Sequence, residues 1–188
     1  MCINFKTSIG AFIVGTISAL ILNQSENKEK QVIGKFILFY TMVQLFEALI
    51  YYNNKEIYSR LLLMNLGFQG LVFSLLLNDY VPINKIYIYI TGLIAAVIFY
   101  KSIQPKIKKA SVNEGMKWNF MNRNSGLLLV IMYILMFISV LDNSKKLDYI
   151  NKLGILLFIT LIISYNNTNR PSMWCLSSAI IAPLIIFI

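Results

Sequence analysis

The length of its apolar runs constrains this chain more than any other feature. Stretches such as IGAFIVGTISALIL and GLLLVIMYILMFISVL continue without a charge, well past the roughly 4 to 8 residues of a buried strand. A hydrocarbon core about 30 Å thick asks for about 20 apolar residues per helix, with roughly 17 to 25 the usual range. Seven segments approach that length: 5–22, 32–52, 61–78, 84–101, 125–141, 150–165 and 172–188. The reading is therefore all-α: a polytopic integral membrane protein whose seven transmembrane helices form one bundle, a single domain over residues 1–188. Composition agrees, since 57% of the residues are hydrophobic and only 13% charged, about half the charged share of a soluble domain.

The first run follows Lys6 as a signal sequence would, but no A-x-A-like site follows it, and NQSENKEK reads as a polar turn between two spans. The long connection 104–124 carries Lys106, Lys108, Lys109, Lys117 and Arg123, interleaved with Trp118 and Phe120. That mixture is expected on the membrane surface, with Trp118 at headgroup depth and the basic residues against anionic lipid headgroups. The net charge of +9 is thus read as orientation and headgroup contact rather than nucleic-acid binding. In a seven-span arrangement ten of the 17 basic residues share the amino-terminal side and seven the other, which favours a cytoplasmic amino terminus.

The chain has no histidine, and its two cysteines are Cys2 and Cys175. The commonest metal ligand and general base is missing, which removes Ser/His/Asp triads, Cys/His dyads and histidine-based zinc sites. Two thiols and a carboxylate could hold zinc in principle, but without histidine the ligand set is thin. No metal and no cofactor are expected.

Polar residues within the spans carry the functional information. A carboxyl group in a span costs about 2.5 to 3.5 kcal/mol on insertion scales and usually faces the bundle interior. Glu47 is that residue, in FYTMVQLFEALIYYN, where Tyr40, Gln44, Glu47 and Tyr51 share one helix face. Asn65 and Gln69, four apart on the third span, also share a face. Antiparallel succession of the spans puts Cys2, Gln44, Glu47, Asn65, Gln69, Trp174 and Cys175 in one half of the bilayer. The competing reading for the amides is interhelical hydrogen bonding alone, about 0.6 kcal/mol each; for the cysteines it is packing as small apolar residues.

Met1, Cys2, Asn4 and Ser8 form an MCxNxxxS opening. With Gln44 and Glu47 in QLFEALIYYN, Gln69, and SMWCLSS followed by Pro183, this set resembles an uncharacterised family of small multispanning membrane proteins of large DNA viruses and, more distantly, bacteria. That family tends to carry an aromatic residue where this chain has Ile3 and Leu176. The resemblance implies an origin and a multispanning topology but no reaction.

The function expected on these grounds is binding or transport of a small polar molecule or ion around Glu47, with Gln44, Asn65 and Gln69 as hydrogen-bonding partners and Trp174, Cys175 and Cys2 at the mouth of the site. Two other classes stand beside it: a membrane-embedded enzyme acting on a lipid or thiol substrate through Cys2 or Cys175 with Glu47, and a structural membrane or virion protein without a site.

Overall fold

The computed structural model describes residues 4–105, 123–143, 147, 149, 150, 183, 184 and 186. Within them the chain forms five helices: α1 Phe5–Asn23, α2 Lys28–Asn53, α3 Glu56–Tyr80, α4 Lys85–Ser102 and α5 Arg123–Leu141. All five are long and apolar enough to cross a membrane. They answer to the first five expected spans. The expected spans 150–165 and 172–188, the greater part of the 104–124 connection, and Cys2, Trp118, Trp174 and Cys175 lie outside the described residues.

The helices overrun the apolar segments at their polar ends. α2 begins at Lys28, before the apolar run, because Asn27 caps it: its side chain accepts hydrogen bonds from the backbone N–H groups of Glu29 (2.8 Å) and Lys30 (3.3 Å). Such a side-chain oxygen satisfies donors that a helix start otherwise leaves without a partner. Asn4 caps α1 in the same way through Thr7, and Asn84 caps α4 through Ile86. α3 begins at Glu56 with the help of its one-turn ion pair to Arg60. Hydrophobicity marks where a chain enters lipid, whereas caps mark where the helix starts, and in α2 and α3 the two differ by about one turn.

Successive helices run antiparallel, and α2 and α3 form the buried centre. Phe36 stacks edge-on against Phe73 with centroids 5.0 Å apart, which puts Tyr40 level with Gln69 and Gln44 level with Asn65. α1 packs on α2 through small residues. A Cβ on Gly34 would lie 2.8 Å from the carbonyl oxygen of Ala19, and one on Gly15 would lie 2.2 Å from Thr41 Cγ2. Close backbone approach of this kind is how helices associate where lipid supplies no hydrophobic drive. α5 runs parallel to α3, with Met132 over Gly70.

The outer faces are apolar, with Leu93 and Leu127 strongly exposed. Tyr52, Tyr89 and Tyr100, near helix ends, are also strongly exposed, the placement of an interfacial aromatic belt. On the surface next to Tyr52 and Tyr100, the Arg60 guanidinium pairs with Glu56 and donates to the Ser102 carbonyl at 2.6 Å. That contact joins the start of α3 to the end of α4. Lys101 Nζ donates to Ser125 Oγ at 3.3 Å, tying α4 to α5 at the same surface.

Candidate polar site within the bundle

α2 turns its polar face inward, as its period requires. Tyr40 is 5% exposed, and Gln44 and Glu47 are fully buried. Glu47 sits about 9 Å along the helix axis from Asn53, at ~1.5 Å per residue. A carboxyl group so placed is held by protein rather than by water.

α3 meets this face with Asn65 (7% exposed) and the fully buried Gln69. Gln69 Nε2 donates to Asn65 Oδ1 at 3.2 Å, and Asn65 Nδ2 donates to the Phe39 carbonyl of α2 at 3.2 Å. From α5, the Tyr133 hydroxyl donates to Gln69 Oε1. Three hydrogen bonds thus run in one direction, from a phenol through two amides to a backbone carbonyl, and join α5, α3 and α2.

This arrangement corrects one part of the sequence reading. Asn65 and Gln69 were expected to serve Glu47, but their side chains bond to Phe39, to each other and to Tyr133. The stagger of the α2–α3 hairpin explains it: Asn65 and Gln69 are level with Gln44 and Tyr40, while Glu47 lies about one turn nearer the Asn54–Lys55 loop. Gln44 and Glu47, both buried on α2, remain together. Cys2, Trp174 and Cys175, the other members of the expected site, lie outside the described residues.

Two participants were not singled out from sequence. Tyr133 is the one tyrosine in a fifth span whose other polar residues are Ser125 and Ser139, a polar handle that buried phenols usually satisfy; that signal could have found it. Glu29, read as part of a polar turn, is only 4% exposed, and its Oε1 accepts the Ile150 backbone N–H at 2.7 Å. Next to it, Lys30 Nζ lies 4.7 Å from the centre of the Tyr149 ring, and Leu147 and Ile150 are buried beside this end of the bundle. Glu47 follows Glu29 by 18 positions, five turns, so both acids lie on one face of α2 about 27 Å apart. Ile33, Phe36 and Ile37, all buried, fill the interval below Tyr40.

Chemically, the described residues offer a buried carboxyl group, amides, hydroxyls and phenols. Among them no three of His, Cys, Asp and Glu stand together. Comparison with known proteins adds no further guide to this chemistry: no family model, no characterised protein and no solved structure matches the chain.

Proposed function

We propose that the chain is a seven-span membrane protein that binds or transports a small polar molecule or ion at a site around Glu47 and Gln44. The complete burial of Glu47 inside a membrane-spanning helix carries this reading. A carboxyl group there is costly on insertion scales and marks a functional position more often than a merely structural one. In this proposal the amino terminus faces the cytoplasm with the Arg60–Lys101 surface, and the basic 104–124 connection lies against anionic headgroups. Membership of the family that the MCxNxxxS and QLFE anchors resemble belongs to the same proposal.

The experiment is solute flux into proteoliposomes, with wild type and Glu47→Gln challenged in parallel by a panel of inorganic cations, small amines, amino acids and nucleosides. A saturable signal in wild type that Glu47→Gln abolishes is the expected result. A signal that survives Glu47→Gln unchanged, or no response to any member of the panel, overturns the proposal.

A further inference from the structure

The opening motif supplies a residue that the site as described does not use. Ser8 is fully buried, and its Oγ has no hydrogen-bond partner among the described residues. This is unusual within the bundle. The buried hydroxyls of Ser18, Thr41, Thr91, Ser102 and Ser139 each donate to a carbonyl three or four residues back in their own helix, at 2.7 to 3.0 Å. Ser8 has the same option, since the Asn4 carbonyl already receives its backbone N–H at 3.3 Å, yet its hydroxyl does not take it. Thr16 and Asn23 also have a buried oxygen without a partner, but those residues are only partly buried.

The register of α1 on α2 shows where the Ser8 hydroxyl is. Gly15 packs on Thr41, and Phe5 meets Tyr52 with ring centroids 6.0 Å apart. Ser8 is seven residues before Gly15, hence on the same face of α1. It therefore faces α2 opposite residue 48, one position from Glu47 and one turn from Gln44. At this level a hydroxyl, a carboxyl group and an amide, each with oxygen lone pairs, come from two helices into the protein interior.

We propose that Ser8 is a ligand residue of the Glu47 site and that the site takes a small monovalent cation, either an alkali-metal ion or a protonated primary amine. This rests on the reading of Glu47 as a binding residue and adds a ligand class to it. Oxygen donors suit hard cations, and a divalent ion would gather more than one carboxylate. A buried hydroxyl without a partner carries a desolvation penalty, and a bound cation or ammonium group gives that oxygen something to coordinate or accept from.

The test is thermal unfolding of the purified protein in detergent, titrated separately with sodium, lithium, potassium and methylammonium chlorides, with choline chloride holding ionic strength constant. Wild type is expected to show a saturable rise in Tm with at least one of these cations, and whether the metal ions or methylammonium produce it identifies the source. Glu47→Gln should abolish the rise. Ser8→Ala should weaken the apparent affinity about five- to thirtyfold, the loss of one hydrogen-bond-strength contact. In choline alone Ser8→Ala should melt at or above wild type, because it removes a buried hydroxyl without a partner; a folding defect would lower it instead. Ser8→Cys, which keeps the volume but supplies a poor ligand for hard cations, should bind as weakly as Ser8→Ala. Wild-type affinity in both Ser8 variants, with the response still lost in Glu47→Gln, overturns the role of Ser8 and leaves the site reading intact. No response of wild type to any of the cations overturns the ligand class. A response unchanged in Glu47→Gln overturns the site reading together with this one.

Discussion

Tyr133, on α5, donates its hydroxyl to the side-chain oxygen of Gln69 on α3. The bond spans 64 residues of sequence and is the first link of the chain that ends at the Phe39 carbonyl. Removing the phenol leaves a buried amide oxygen without its donor, so Tyr133→Phe should cost about 1 to 3 kcal/mol. The double variant Tyr133→Phe/Gln69→Leu should cost less than the sum of the two single changes, with a coupling of about 0.6 to 1.7 kcal/mol. Unfolding in mixed micelles, run as a double-mutant cycle, measures both. If the cycle shows no coupling, the chain of hydrogen bonds does not hold the helices together.

The glycines give a graded test of helix packing. Gly10 has nothing within 4 Å of an added Cβ, the Cβ of Gly70 would meet the flexible Met132 side chain, and that of Gly34 would meet the Ala19 backbone. Gly10→Ala should be neutral or stabilising by up to about 1 kcal/mol, through helix propensity. Gly70→Ala should cost about 1 to 2 kcal/mol, because the added Cβ would lie 2.3 Å from Cγ of the fully buried Met132, which must repack with its helix. Gly34→Ala should cost about 1 to 3 kcal/mol or more, since a carbonyl group cannot move aside without shifting α1. Melting temperatures of the three variants should fall in that order.

Glu29 anchors the segment after α5. Glu29→Ala removes the acceptor of the Ile150 N–H and should speed hydrogen exchange at Ile150 while leaving the α3–α4 hairpin protected. Glu29→Gln keeps a side-chain oxygen and should retain much of the protection. Exchange at Ile150 equal in Glu29→Ala and wild type would show that the carboxylate does not hold that segment.

Topology can be tested on the described helices alone. With Cys2 and Cys175 replaced by serine, single cysteines introduced at Ser25 and Lys55 should react with an impermeant maleimide from opposite sides of the membrane. Labelling of both from one side would mean that α2 does not cross.

How much was legible beforehand differs between elements. The five described spans follow from apolar length, but their starts at Lys28 and Glu56 do not, because Asn27 and the Glu56–Arg60 pair extend the helix through polar turns. The inward face of α2 was legible: Tyr40, Gln44 and Glu47 repeat with the helix period, and any packing of α2 must bury a costly carboxyl group. The partners of Asn65 and Gln69 were not, since equal depth in the membrane does not specify contact. A shift of one turn between α2 and α3 decides whether Asn65 meets Glu47 or the Phe39 carbonyl.

The sequence by itself determined that the chain is helical and crosses a membrane repeatedly, and that one helix carries a carboxyl group into the interior. Length, apolarity and the helix period are local properties, and a local reading recovers them. Tertiary structure alone decided which groups that interior brings together. The stacking of Phe36 on Phe73 and the close approaches at Gly15, Gly34 and Gly70 set the axial register of neighbouring helices. That register commits Asn65 and Gln69 to Phe39 and Tyr133, and places the Ser8 hydroxyl beside the segment that bears Glu47.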